Sequence, residues 1–249
     1  MSGHNKWSSI KHRKGAQDAR RGKLFTKLIK EITVAARAGG GDPAGNPRLR
    51  RALEAARAAN MPADNITRAI KKGTGELEGA SYEELMYEGV GPGGALLLVE
   101  VATDNRNRTA SEVRKIFDRH GGSLGASGSA AWAFEHKGVV RLAREAATEE
   151  RLFEVAVGAG ADDLGADDEG WFVQCARESL DAVRGAIESA GMTVASASLA
   201  WIARTPRTVS GREAEQLAAL LEALEDHDDV QNAWCDASFA ETTLEAASG

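Results

Sequence analysis

The chain is poor in cysteine. Cys175 and Cys235 are its only two in 249 residues, with no CxxC spacing and too few thiols for a disulfide framework, which excludes a cystine-stapled secreted scaffold. Both sit in alternating apolar runs and read as buried free thiols, suited to a reducing cytosol. Long hydrophobic runs are missing too. The strongest, around Ala95–Val99, falls far short of the roughly 20 residues that span a bilayer. No apolar core follows the basic residues of the N-terminal Met-Ser-Gly-His-Asn-Lys-Trp, so no secretory signal is read there and a cytoplasmic location without membrane contact is expected. Catalytic sets are also lacking. The five histidines, at 4, 12, 120, 136 and 227, have no metal-ligand spacing, and no Ser/His/Asp or Cys/His arrangement appears. The expectation is a non-enzymatic protein without metal, cofactor or small-molecule substrate.

What the chain does have is charge, unevenly placed. Seventeen of its 31 Lys and Arg precede Gly75, against five of its 37 Asp and Glu. The first third is therefore net +12 and the remainder net −18, although the whole is only −6. A basic module on an acidic body points to a polyanionic partner, usually nucleic acid, met by one end of the molecule.

Periodicity organises the chain into an α+β protein of three domains. Residues 1–19 lack apolar periodicity and read as a basic arm. Leu24, Phe25, Leu28, Ile29, Ile32 and Ala36 then mark one face of a helix over 20–38, with Arg20, Lys23, Lys27 and Lys30 on the opposite face. Asn46-Pro47 caps a second helix to about residue 59. A break at Asn60–Pro62 precedes a third, closed by Gly73 at its C′ position. Residues 1–75 thus form a helical nucleic-acid-binding domain with its arm.

Beyond it the pattern is mixed. Residues 95–102 read as a strand, Thr109 with Glu112 as a capping box opening a helix to about 120, and 129–134 as a strand. Strand 138–142, helix 148–159, strand 170–176, helix 180–190 and strand 193–202 are read as a ferredoxin-like β-α-β-β-α-β order. The acidic cluster Asp162, Asp163, Asp167, Asp168 and Glu169 reads as a solvated turn. Ser210 with Glu213 opens a last helix, and 230–239 a last strand. The expected arrangement is one α+β domain from 76–134 plus 206–249, with 135–205 inserted as the ferredoxin-like domain. Three domains in series is the alternative.

The candidate nucleic-acid contacts follow from charge. In the arm these are Lys6, Trp7, Lys11, His12, Arg13 and Lys14, basic residues around one aromatic that could stack on an unpaired base. The first helix adds Arg20, Arg21, Lys23, Lys27 and Lys30. The second and third helices superficially resemble a helix-turn-helix, the latter offering Asn65, Arg68, Lys71 and Lys72. Arg106 and Arg108, between a strand and a helix N-terminus, make either an anion site or a turn whose arginines pair with the acidic body. Gly89-Val-Gly-Pro-Gly-Gly94 precedes its strand, the wrong order for a dinucleotide fingerprint, and reads as a tight strand entry.

Several runs are distinctive in themselves. Residues 3–14 (Gly-His-Asn-Lys-Trp-Ser-Ser-Ile-Lys-His-Arg-Lys), the run Phe25–Arg37, Gly40–Pro43, Asn46–Arg50, Asn60–Pro62, Ile70–Gly75, Tyr87–Gly94 and Thr103-Asp-Asn-Arg-Asn-Arg-Thr109 together resemble the YebC/PmpR family over the whole chain. Departures are mild and lie mostly in 140–200. The resemblance implies an N-terminal helical domain with two α+β domains, one inserted in the other, a cytoplasmic location and no enzymatic activity. Members are described as DNA-binding transcriptional regulators. Others are described as translation factors acting at stalled ribosomes, including on proline runs, and a mitochondrial relative as a translational activator. DNA, or alternatively ribosomal RNA and the ribosome, is the expected partner.

Overall fold

The computed structural model describes residues 17–239, with side chains from Arg21 onward. The arm residues Lys6, Trp7, Lys11, His12, Arg13 and Lys14, and the side chain of Arg20, lie outside it. Three helices come first: α1 (Gln17–Gly39), α2 (Pro47–Ala58) and α3 (Ala63–Thr74). Ile32, Ala35 and Ala36 of α1 meet Leu49, Leu53 and Ala56 of α2 and Ala69 of α3 in a small core. Asn46 joins the pieces. Its Oδ1 accepts from Leu49 N at 3.0 Å, capping α2, while Nδ2 donates to Ala35 O and Gly40 O at the end of α1.

The third helix ends two residues later than its sequence suggests. Gly75, at φ +83°, takes the left-handed position, and Gly73 lies inside the helix, pressed against α1. A Cβ on Gly73 would stand 2.4 Å from Thr33 O and 2.7 Å from the Cβ of Ala36. Gly73→Ala is therefore expected to destabilise the protein. The clash is with backbone, which cannot swing aside, and overpacking of about 2 kcal/mol exceeds the ~1 kcal/mol of helix propensity gained. Thermal melting should fall by a few degrees; a melting temperature at or above the parent's would contradict this contact.

Two sheets follow. The first comprises β1 (Glu83–Val90), β2 (Leu96–Thr103), β3 (Ser123–Leu124) and, far later, β9 (Val230–Cys235), in the order β3-β1-β2-β9. The glycine-rich stretch turns β1 into β2, with Gly93 and Gly94 both at positive φ and Gly91 N bonded to Ala95 O. Helices α4 (Arg106–Arg119) and α7 (Gly211–Glu225) cover one face, burying Leu97, Val99 and Val101 against Val113, Phe117, Leu217, Leu220 and Leu221. On the other face Leu98 and Trp234 pack on Ala130, Ala133 and Phe134.

The second sheet is ferredoxin-like: β4 (Phe134–Leu142), α5 (Glu149–Gly158), β5 (Ala161–Asp167), β6 (Gly170–Ala176), α6 (Leu180–Ser189) and β7 (Ser196–Ala203), with antiparallel neighbours in the order β5-β6-β4-β7. Strand β5 occupies the stretch expected to be an acidic turn. Its aspartates decorate a sheet edge, a known device against edge pairing, and two are met by cations on β4: Asp162 by Lys137 at 2.9 Å and Asp167 by Arg141 at 3.1 Å.

The expected strand at 129–134 is instead a loop running into a short 3₁₀ turn at Ala131–Ala133. Glu88 explains it. Its buried carboxylate accepts from Gly128, Ala130 and Ala131 N–H at 2.6–2.8 Å, and N–H groups converging on one acid cannot form a strand ladder. Burial pushes the Glu88 pKa up, but these donors outweigh it and hold it below the usual carboxylate value. After β7 the chain passes through β8 (Arg207–Val209) and α7 to β9, then β10 (Ala237–Phe239), which pairs in parallel with β8. Asp236 breaks the expected 230–239 strand in two, its carboxylate accepting from Leu96 N. Cys175 and Cys235 are buried free thiols, their pKa values pushed by burial to about 11 and about 12. No described helix is long and apolar enough to cross a membrane.

Candidate nucleic-acid interface

The lysine face of α1 is not free: Lys30 is buried and Lys23 and Lys27 are partly covered. It docks on residues 225–229, where α7 ends. Lys27 Nζ donates to Glu225 O at 2.7 Å, Lys23 pairs with Asp226 at 3.1 Å, and Lys30 Nζ reaches Asp228 O at 2.8 Å and Asp229 Oδ1 at 2.5 Å. Cations at a helix C-terminus satisfy its last carbonyls and complement its dipole. The Lys30–Asp229 pair is deeply buried, with side-chain exposures of 8% and 6%. Lys23, Lys27 and Lys30, expected from sequence to face nucleic acid, are thus engaged within the protein, because an amphipathic pattern shows that a face is polar but not what covers it.

Asp229 is the centre of that docking. Its Oδ2 accepts from Thr109 Oγ1 at 2.6 Å and from Arg108 Nη2 at 2.7 Å. Burial would raise its pKa; the hydrogen bonds from Lys30, Thr109 and Arg108 overcome this and hold the carboxyl well below the usual range. The Thr103–Thr109 motif is built around this acid. Asn105, and not Thr109, caps α4, accepting from Arg108 N at 3.1 Å, and Thr103 Oγ1 accepts from Asn105 N at 2.9 Å. Thr109 is buried inside the helix because its hydroxyl is drawn to Asp229, and Glu112 bonds His227 Nε2 at 2.9 Å instead of closing a capping box. Arg108 is accordingly a strut; it also pairs with Asp104 at 3.0 Å. Arg106, the first residue of α4, is exposed.

Glu112, His227 and Asp229 hold possible metal-ligating atoms within 4.8 Å of one another. The donor set does not suit a cation. Both oxygens of Asp229 already face Lys30 or Arg108 at 2.5–2.7 Å, and His227 Nδ1 accepts from Asp229 N. A divalent ion there would stand against two resident positive charges.

The second helix is engaged as well. Arg48 bridges Glu31 and Glu84, Arg50 and Arg51 pair with Asp181 on α6, and Glu54 with Arg184. Much of the charge split is therefore internal, one unit docking on the other. The signal was present in the run Glu225-Asp-His-Asp-Asp229, an acidic complement to the α1 lysines that sequence reading passed over. What remains outward is narrower. Arg68 and Lys71 of α3 are exposed and have no ion-pair partner among the described residues, opposite the buried Ala69 and Gly73. Lys72 is half-buried, its stem beside Gly79, and Asn65 is half-buried. Arg21 is exposed, over the Phe25 ring at 5.3 Å.

Comparison with known proteins matches both parts of this architecture. The family model described as the TACO1/YebC protein N-terminal domain matches residues 5–76, and that of the TACO1/YebC second and third domain matches 82–237. A protein of Desulfosudis oleivorans named probable transcriptional regulatory protein is 54% identical over 246 residues, spanning 99% of this chain and 100% of that one. A Geobacter sulfurreducens protein of the same description is 53% identical over 245 residues, spanning 98% and 99%. Among solved structures, a conserved hypothetical protein from Aquifex aeolicus superposes with a TM-score of 0.87 at 46% identity, covering 95% of this chain and 98% of that one. With both of its parts matched in order and relatives aligned end to end, the chain belongs to the TACO1/YebC family.

Proposed function

We propose that the protein is a non-enzymatic, cytoplasmic regulator of gene expression that binds nucleic acid through its N-terminal helical unit, as a DNA-binding transcriptional regulator. The observation that carries this is the pair Arg68 and Lys71, the outward cations of α3 left after its neighbours are tied to the acidic body. With Lys72, Arg21 and the cations at 6, 11, 13, 14 and 20 they form the contact set, joined by Trp7 and His12. The name shared by the relatives supports a role in transcription.

The exposed face of α3 favours phosphate contact over base reading. Arg68 and Lys71 stand there, while Asn65, the one adenine reader on the helix, is half-buried. That observation keeps RNA, and with it a translation factor at the ribosome, as the second reading. Titrating the full chain against a labelled DNA duplex and an RNA hairpin between about 50 and 200 mM salt tests both. Arg68→Glu with Lys71→Glu should weaken binding about tenfold and flatten the salt slope by about two. Parental affinity and slope in that variant would remove α3 from the interface. Absence of binding to either polymer would end the nucleic-acid reading altogether.

A further inference from the structure

Helix α4 is a basic strip on an acidic body. Residues 76–249 contain 14 Lys and Arg against 32 Asp and Glu. Half of those cations have a carboxylate partner, as Lys137 has Asp162 and Arg204 has Glu135. Arg144 lies over the Trp171 ring and Arg151 donates to Ala190 O. Five cationic side chains remain without a partner among the described residues, and four of them, Arg106, Arg114, Lys115 and Arg119, are on α4. All four are exposed: Lys115 and Arg119 lie opposite the buried Thr109, Val113 and Phe117, Arg114 lies on the flank, and Arg106 is the first residue of the helix.

Apart from Arg119, which complements the dipole in the last turn, this charge does little for the helix. No acidic residue occupies its first turn, where the dipole disfavours Arg106. Lys115 and Arg119 are like charges at i, i+4, which also destabilise. Between the cations stand Asn107 and Ser111, with Glu112 engaged by His227 and Asp118 the one exposed acid, and no large apolar side chain is exposed on α4. A protein-binding face would need aromatic or aliphatic anchors; a row of cations with small polar spacers suits a phosphate backbone. Fourteen residues extend about 21 Å, some six phosphate steps along one strand of duplex. The segment 225–229 ties this helix to the proposed interface. Lys23, near the start of α1, holds Asp226, and Glu112, midway along α4, holds His227.

We infer that the outward face of α4 is a second contact surface for the phosphates of the nucleic acid. Resting on the reading proposed above, it adds Arg114, Lys115 and Arg119 to the contact set and gives Arg106 a purpose that Arg108 lacks. The test is the full chain carrying Arg114→Glu, Lys115→Glu and Arg119→Glu, titrated as above beside the Arg68/Lys71 variant. Binding to the duplex, the hairpin or both should weaken at least about tenfold, with a slope flatter by two to three, while the melting temperature stays at the parent's value. Should the glutamate variant fail to fold, the triple glutamine variant is read the same way, with loss of slope as the result. Parental affinity and slope in the α4 variant, with the Arg68/Lys71 variant weakened, would overturn this surface and leave the N-terminal one standing. If the parent itself binds neither polymer, both fall together.

Discussion

Asp229→Ala lowers the melting temperature by about 10 °C, if the docking of α1 rests on this carboxylate as its geometry indicates. Removing one partner of a buried ion pair costs about 3–5 kcal/mol, because the other charge is left desolvated, and each kcal/mol moves the melting point of a chain this size by about 2–4 °C. Here the variant strands Lys30, which is buried, and also takes an acceptor from Arg108 and Thr109. Lys30→Met in the same chain should recover part of the loss, since no unpaired ammonium then remains. The pH dependence has a definite sign. A carboxyl held below its unfolded value contributes its full stabilisation above about pH 4–5 and loses it progressively as pH falls through the folded value. The parent should therefore lose stability toward acid more steeply than Asp229→Asn does. An Asp229→Ala chain melting within a degree or two of the parent would show that α1 is held by its apolar face alone.

The second large effect concerns binding. Deleting residues 1–16 removes Lys6, Lys11, Arg13 and Lys14 and no acidic residue. If each cation neutralises one phosphate, the logarithmic salt slope flattens by roughly three to four, and affinity at moderate salt falls about a hundredfold. The salt slope separates this from a general loss of fold, which would abolish binding at every salt concentration. A truncated chain with the parental slope would place all contacts in residues 17 onward. Trp7→Ala should weaken binding to single-stranded stretches more than to duplex, since stacking needs an open base face.

Elements with strong apolar patterning are legible in the sequence. β6 falls on residues 170–176 as read, α6 within one residue of its expected end, and Asn46-Pro47 caps α2. The misses have distinct physical causes. β1 carries glutamates on a half-exposed edge and β5 aspartates on an edge strand, so neither has the apolar run that marks a buried strand. Gly73 has the look of a helix stop, but its smallness serves a helix crossing. Thr109 and Glu112 have capping-box spacing, yet a distant aspartate and histidine claim both. Such competition comes from partners more than a hundred residues away, which no local window contains. The candidate site was legible in part: the basic arm, Arg68 and Lys71 stand out by charge, whereas the fate of Lys23, Lys27 and Lys30 depends on the Glu225–Asp229 run.

The position of β9 has a consequence for how the chain is made. It pairs with β2 along residues 97–101, yet its own residues are among the last of the described chain to leave the ribosome. The ferredoxin-like sheet, closed by residue 203, can complete itself while β2 still presents an open edge and α7 does not yet exist. The unit begun second is thus finished before the one begun ahead of it. During that interval Leu97, Val99 and Val101 are covered by α4 alone, and this nascent stage is where aggregation or chaperone capture should concentrate.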